Sequence, residues 1–278
     1  MSTVVSAQSY MRLQDRVSVP AEHSLLSVGL LTHTWRHTDP EPRNLREVHI
    51  RGTPVALTIE CFGTGQPMPL HSAAVPANAL FAASPGSQDA MSFFAEFDLG
   101  HMVSRFQGNA NLGLLVLAGF HDFKDASVRS NFFSREFFYS ATGRQAELFP
   151  PELSSPAEGS GHLDSAALLG LWRNTNAASQ GVAAVQVTDH GEHLGICAYG
   201  VGESCNLDWG EAVGRPYAKD CCSSDAMAFS ASFSLEGIRC HLQANVKQGV
   251  LVIAYFTEFL DGSGRSNYFA REFYYKDK

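Results

Sequence analysis

Residues 261–275 read DGSGRSNYFAREFYY, and residues 125–139 read DASVRSNFFSREFFY. The two stretches lie 136 positions apart and share Asp, Ser, Arg, Ser, Asn, Phe, Arg, Glu, Phe and Tyr in the same order without a gap. An internal repeat defines the unit that folds, so this match is the first constraint on the architecture. A motif kept in both copies indicates a structural role more than a catalytic one, because catalytic groups are seldom needed twice at one spacing.

The match continues upstream in the same register. DAMSFFAEFDL at 89–99 corresponds to DAMAFSASFSL at 225–235, and GLLVLAGF at 113–120 corresponds to GVLVIAYF at 249–256. The chain therefore contains two copies of one unit of about 110 residues, a usual domain size.

The repeat also sets the domain boundaries. With one residue of slippage, HTWRHTD around Trp35 aligns with GLWRNTN around Trp172. We predict one domain at 24–140, a second at 163–278, and a linker at 141–162, where Pro, Ser, Gly and Glu are frequent.

Composition excludes several function classes. The 278 residues are 45% hydrophobic and carry a formal net charge of −8, with Lys and Arg scattered along the chain. Without a basic cluster, neither nucleic acid nor a membrane is an expected partner. The N-terminal stretch MSTVVSAQSYMRLQDR lacks the apolar core of a signal peptide, which favours a cytoplasmic location. None of the six cysteines forms a C-x-x-C pair or a zinc-like spacing, so we expect idle thiols, no metal and no cofactor.

Short apolar or alternating runs such as VALTIECFG, MAFSASFSL and LVIAYF dominate both copies, separated by Gly, Asn and Asp. Such runs indicate strands, and about eight fit in each copy. A meander of this size avoids exposed edges by closing on itself. We therefore predict an all-β fold of two tandem antiparallel up-and-down barrels, with short helical turns only before each Trp.

LLGLWRNTN at 168–176 resembles the opening strand of the calycin barrels, the lipocalins and avidins, which begin with a Gly-x-Trp element. In that superfamily an Arg of the last strand packs over the opening Trp. The resemblance implies that Arg129 or Arg135 covers Trp35, and that Arg265 or Arg271 covers Trp172 in the same way. The first copy departs from the pattern, since His33 replaces the Gly. Tandem barrels of this layout occur among carotenoid hydratases and natural-product cyclases, which are similar in architecture only.

Histidines are concentrated in the first copy, where His33 and His37 share strand parity with Trp35. Asp39 follows, and Glu60 interrupts the apolar run LTIECF. A carboxylate among apolar neighbours should have a raised pKa, which suits a general acid or base. We therefore name Glu60, His37 and Asp39 as the candidate catalytic residues. The alternative is that Glu60 faces solvent on the outer side of its strand and His37 only lines a rim.

The expected ligand is a hydrophobic small molecule inside a barrel. Trp209, in the loop sequence CNLDWGE, is either a ligand platform at a barrel mouth or a packed corner. The predicted ligand-binding residues are His33, Phe62, Phe93, Phe97, Tyr199 and Trp209.

Three functions fit these patterns. The first is a cofactor-independent cyclase or isomerase of a biosynthetic pathway, acting by enforced proximity and acid–base groups. The second is a non-catalytic carrier of a small molecule, and the third is an interaction module with filled barrels. The sequence is compatible with a homodimer, and it identifies neither the ligand nor the repeat that would bind it. No G-x-S-x-G, phosphate-binding loop or H-E-x-x-H occurs in the chain, which disfavours hydrolase, kinase and nicotinamide-dependent chemistry.

Overall fold

The computed structural model describes residues 10–16, 25–65, 67–125, 129–141 and 163–277. Within them the protein is all-β, with 17 strands in one largely antiparallel sheet. The helical structure in this part of the chain is one 3-10 turn at Leu13–Asp15, and hydrogen-bonded turns precede each opening Trp. The predicted linker, apart from residue 141, lies outside the described residues, as does residue 24.

The first repeat, residues 25–141, contains nine strands. They are β1 (Thr34–His37), β2 (Leu45–Thr53), β3 (Ala56–Gly63), β4 (Ser72–Pro76), β5 (Ala79–Ala82), β6 (Ala90–Asp98), β7 (Met102–Asn111), β8 (Leu114–Phe123) and β9 (Phe132–Ser140). The second repeat, residues 163–277, contains eight. They are β10 (Gly170–Asn174), β11 (Val182–Asp189), β12 (Leu194–Gly200), β13 (Leu207–Ala218), β14 (Ala226–Leu235), β15 (Ile238–Lys247), β16 (Val250–Phe259) and β17 (Tyr268–Lys276).

Consecutive strands of the second repeat pair antiparallel, and β17 pairs back with β10, so the eight strands form a closed circuit. In the first repeat β9 pairs back with β1, but β4 and β5 replace one long strand. Their counterpart β13 pairs with β12 over its first part and with β14 over its last. The ninth strand, one more than the predicted eight, therefore comes from a break at Ala77 and Asn78.

The alternation read from MAFSASFSL matches the observed burial in the middle of β14, whereas Ala228 on the opposite face is buried and Leu235 at the end is exposed. Phe229, Ala231 and Phe233 on β14 are buried, whereas Ser232 and Ser234 are exposed. Apolar side chains on one face of each strand form two large cores, one per repeat. Met11 joins the core of the second repeat from far away in the sequence.

Two smaller apolar clusters lie between the repeats, and they are copies of each other. Phe120 and Phe133 pack with Tyr217 in one, and their counterparts 136 positions away pack together in the other. The second cluster consists of Phe81, Ala254, Phe256 and Phe269. Single parallel contacts, Ala218 with Phe132 and Tyr268 with Ala82, follow the same relation. The repeats therefore meet through equivalent surfaces about a pseudo-twofold axis, as the subunits of a symmetric dimer do.

Candidate functional site

The indoles of both opening tryptophans are buried, and each donates a hydrogen bond to the backbone carbonyl oxygen four residues earlier. Trp35 Nε1 donates to the carbonyl oxygen of Leu31 at 2.9 Å, and Trp172 Nε1 to that of Leu168 at 2.8 Å. The cation over Trp172 is the ammonium of Lys276, 5.6 Å from the ring centroid. The cation over this Trp is thus a lysine, where an arginine was expected.

The four predicted closing arginines lie over phenylalanines instead. Arg129 lies 4.0 Å from the Phe123 ring centroid, and Arg265 lies 3.9 Å from that of Phe259. The other two, Arg135 and Arg271, lie 5.5 Å from Phe133 and 5.2 Å from Phe269. The strand alternation explains the last two: in β9 the buried side chains at 134, 136 and 138 point inward, so position 135 points toward the other repeat.

Glu60 lies on the outer side of β3, where its buried neighbours Ile59 and Cys61 point inward. Its carboxylate is 2.8 Å from His71 Nε2 and 3.4 Å from His49 Nδ1. The hydrogen bond from His71 lowers the pKa of Glu60, with a smaller contribution from His49. The expectation of a raised pKa was therefore wrong, because the apolar residues next to Glu60 in sequence point away from it.

The other predicted site residues fall in different places. Phe62 is half-buried between the rings of His49 and His71, on the same outer side as Glu60. Phe93 and Phe97 are fully buried in the first core. Tyr199 is half-buried on β12, whereas His33 is exposed with its ring 5.2 Å from that of Trp35. The structure thus does not bring the predicted ligand-binding residues together.

Open space lies between the repeats. A groove of about 1360 Å³ is lined by His37, Asp39, Phe133, Arg135 and Glu136 among others. Its walls also carry Asn44, Phe137, Met227, Asn245 and Lys247. Two of the three predicted catalytic residues, His37 and Asp39, therefore meet here, with the Asp39 amide donating to His37 Nδ1 at 2.9 Å.

The floor of the groove adjoins a small cavity of about 10 Å³ on the pseudo-twofold axis, with which it shares Phe133, Arg135 and Asn245. The cavity wall consists largely of residues paired with their own repeat copies, namely Gln107 with Gln243, Asn109 with Asn245, Ala118 with Ala254, Phe133 with Phe269 and Arg135 with Arg271. A space of this volume holds one water-sized atom.

The polar groups around this cavity are incompletely satisfied. Nε of Arg135 and Nε of Arg271 are buried without a hydrogen-bond partner among the described residues. The same holds for the amide of Gln107 and for the side-chain oxygens of Gln243 and Asn245. Burial, and then the charge of Arg271, lower the pKa of Arg135 to about 10. Two like charges thus face one cavity, and the described residues form no ion pair with either.

Glu136, whose side chain points into the first repeat, lines the groove from that side and is a buried carboxyl group there. Only 7% of it is exposed, and its carboxylate accepts a hydrogen bond from Asn44 Nδ2 at 3.1 Å. Burial raises the pKa of Glu136 to about 7, although hydrogen bonds from Asn44 and Leu45 partly oppose the shift. Its copy Glu272 accepts from Ser179, the Val182 amide and Tyr274. Both glutamates are visible in the repeated motif, but their hydrogen-bond partners apart from Tyr274 lie about 90 residues away in sequence and could not be predicted from the motif.

The interior of each repeat is filled by side chains in its own way. In the first, the fully buried ring of His121 is 2.9 Å from Ser104 Oγ on one side and 2.9 Å from Ser134 Oγ on the other. Burial lowers the pKa of His121 to about 3, so the ring is neutral. Thr257 is the copy of His121 in the second repeat, where a different group completes the interior.

That group is Arg12, which enters the second repeat from the N-terminal segment Tyr10–Arg16. Its guanidinium is fully buried, donates to Thr257 Oγ1, and lies 5.2–5.6 Å from the ring centroids of Trp209, Tyr255 and Tyr268. Trp209 Nε1 donates to the Met11 carbonyl oxygen at 3.0 Å. Trp209 is therefore packed between the core and this segment.

Comparisons with protein-family models, with curated proteins and with solved structures give no match. The likeness to the calycins thus rests on the quoted residues and on the strand layout. Within the described ranges, no helix is long and apolar enough to cross a membrane, and no group of three or more His, Cys, Asp or Glu side chains is arranged to hold a metal ion.

Proposed function

We propose that the protein is a tandem lipocalin-like barrel protein that binds a small amphipathic molecule, carrying a carboxylate or similar anionic group, in the groove between its repeats. The observation that carries the proposal is the pair Arg135 and Arg271, whose buried Nε donors face one cavity without a partner among the described residues. Both side chains are half-buried, and Nε is the buried donor that each leaves without a partner. A buried donor normally has an acceptor, and one anionic group in the cavity would supply an acceptor to both arginines.

The size of the space supports this ligand class. One carboxylate oxygen has about the volume that the cavity offers, while the remainder of the ligand lies along the groove. Arg135 lines both spaces, and Phe132, Phe133 and Met227 supply apolar contacts. Guanidinium is the side-chain group best matched to a carboxylate, because its N–H donors lie in one plane. These contacts favour a ligand between the repeats over a ligand inside one barrel.

The double variant Arg135→Met/Arg271→Met tests the proposal. Met keeps the apolar stem of each Arg, so we expect the free energy of unfolding without ligand to rise by about 1–3 kcal/mol as two buried Nε donors without a partner are removed. Octanoate should raise the melting temperature of the unaltered protein and have no effect on the double variant. Octanol, of similar chain length but uncharged, should have a much smaller effect on both.

Arg43→Met, at the rim of the same groove, is the matched control and should keep the response to octanoate. An equal response of the double variant and the unaltered protein to octanoate would refute the proposal. So would a double variant that is less stable than the unaltered protein, because that result would mean the guanidiniums are already compensated.

A second function, proton transfer in a cofactor-independent isomerisation or cyclisation, is favoured by Glu136. A carboxyl group with a pKa near 7 exchanges a proton readily at neutral pH, and this one lines a partly apolar groove together with His37 and Asp39. The acid–base role is thus proposed for Glu136 in place of Glu60. The carrier remains the first proposal, since the unpartnered Nε donors of the two arginines favour a bound anion and do not call for a reaction.

Glu136→Gln should change the pH dependence of stability in a defined direction. The folded-state pKa, about 7, lies above the reference value of 4.5, so the stabilising contribution is complete below about pH 4.5 and is lost as pH rises through 7. Over that pH range the free energy of unfolding of the unaltered protein should fall by up to about 3 kcal/mol more than that of Glu136→Gln. Urea unfolding from pH 4.5 to 8 measures the difference. Parallel curves for the two proteins would show that Glu136 ionises normally.

A further inference from the structure

The interior of the second repeat, rather than the groove, holds a fully buried cation enclosed by aromatic rings. Three aromatic rings surround the Arg12 guanidinium, and Thr257 accepts its hydrogen bond. Asp15 supplies the counter-charge, with its carboxylate 3.5 Å from Arg12 Nε. Arg12 Nε and Nη1 have no hydrogen-bond partner among the described residues.

In its described residues, the first repeat does not contain this arrangement of a cation and aromatic rings. In the first repeat His121 completes the same layer by bonding to Ser104 and Ser134. The copies of these three residues are Thr257, Cys240 and Ala270, which cannot form that network. The polar position is instead filled from a segment outside the repeat, 245 residues away in sequence.

The rings are arranged as a cation recognition site. Aromatic faces within about 6 Å of a cation attract it electrostatically, and most strongly where water is excluded. Trp209, Tyr255 and Tyr268 are all buried, and each makes a further hydrogen bond, that of Trp209 being to the Met11 carbonyl oxygen. Tyr255 is 2.7 Å from the hydroxyl of Tyr274, and the Tyr268 hydroxyl donates to Asp15 Oδ1 at 2.5 Å.

We propose that the interior of the second repeat is a binding site for an organic cation of the guanidinium or quaternary-ammonium class, which Arg12 occupies as an internal ligand. An external cation competes with Arg12 for the three aromatic faces. Because the internal ligand is tethered, its effective concentration is high, and a free cation must exceed it to displace the segment. Occupancy of the site thereby determines whether the segment Tyr10–Arg16 is docked.

The variant Arg12→Ala tests the site with Asp15 in place. Methylguanidinium should bind this variant at least tenfold more tightly than methylurea, which has nearly the same shape without the charge. Calorimetry and Trp209 fluorescence measure the binding. The double variant Arg12→Ala/Tyr255→Leu should lose it, whereas Arg16→Ala, at the exposed end of the segment, should behave as the unaltered protein. Equal responses of Arg12→Ala to methylguanidinium and methylurea would refute the proposal.

If Arg12→Ala does not fold by itself, the variant can be refolded in millimolar methylguanidinium and, separately, in millimolar methylurea. A cation site predicts that methylguanidinium restores folding and that methylurea does not. The unaltered protein supplies an independent measurement. Burial protects the peptide bond after Arg12 from trypsin, and tetramethylammonium or methylguanidinium should accelerate that cleavage at least severalfold by displacing the segment. No acceleration up to tens of millimolar, about tenfold above the effective concentration of a ligand on a short tether, would overturn the competition.

Discussion

At pH 4 the His121→Asn protein should retain about 3 kcal/mol more of its neutral-pH stability than the unaltered protein. Burial holds the pKa of His121 near 3, against a reference value of 6.5. The stabilisation from keeping the ring neutral is therefore complete above pH 6.5 and is lost as pH falls toward 3. Asn does not titrate, and its amide offers a donor and an acceptor to Ser104 and Ser134.

Urea unfolding at a series of pH values measures this difference. His241, whose pKa burial lowers to about 4, should leave some acid sensitivity in the variant. His37→Asn, at the groove, is the control and should follow the unaltered protein. If His121→Asn loses stability with acid as steeply as the unaltered protein, the His121 ring is not held neutral in the folded state.

Asp15→Ala should lower the free energy of unfolding by about 3–5 kcal/mol, because it leaves the buried Arg12 charge without its partner. The Asp15 carboxylate accepts from the Met11 amide at 3.0 Å, the Arg12 amide at 2.9 Å and the Tyr268 hydroxyl. Both residues are fully buried, so water cannot replace the lost contacts.

A matched comparison lies at the end of the same segment. Arg16 pairs with Glu203 in solvent, and Glu203→Ala should change stability by less than about 1 kcal/mol. Denaturant unfolding followed by Trp fluorescence measures both variants. If Asp15→Ala changed stability as little as Glu203→Ala, docking of the segment would contribute little to the free energy of unfolding. Arg12 would then not be needed to fill the interior of the second repeat.

The strand content could be predicted from the sequence because it depends on local alternation and on the repeat. Phe229, Ala231 and Phe233 are separated by serines, and the same spacing recurs 136 positions earlier. The break in the first repeat was not predicted, although Pro76 and Asn78, residue types that favour turns, flank Ala77. Pairing between β9 and β1 follows from closure of the meander, not from any residue pattern.

Residue environments were harder to predict. Glu60 lies among apolar letters, but successive side chains of a strand point to opposite faces, so its sequence neighbours are not its spatial neighbours. For Arg135 and Arg271 the same alternation points the guanidiniums at the opposite repeat. One signal was available: polar residues retained in both copies on apolar strands, such as Gln107 and Gln243, indicate a surface that meets its own copy.

Arg12 and Asp15 could not be placed by any local pattern. The segment MRLQD carries no repeat match, and the side chains hydrogen-bonded to it in the second repeat lie 198 to 254 residues away. Docking of this kind depends on the assembled shape of the second repeat, which emerges only after eight strands have paired.

The equivalence of the two contact surfaces has an evolutionary consequence. Two separate chains of one unit each, joined through the same faces, would form these contacts as a homodimer, and every substitution would then appear in both interiors at once. Fusion into one chain removes that restriction. His121 fills the polar position in the first repeat and Arg12 fills it in the second, and two identical subunits could not differ in this way.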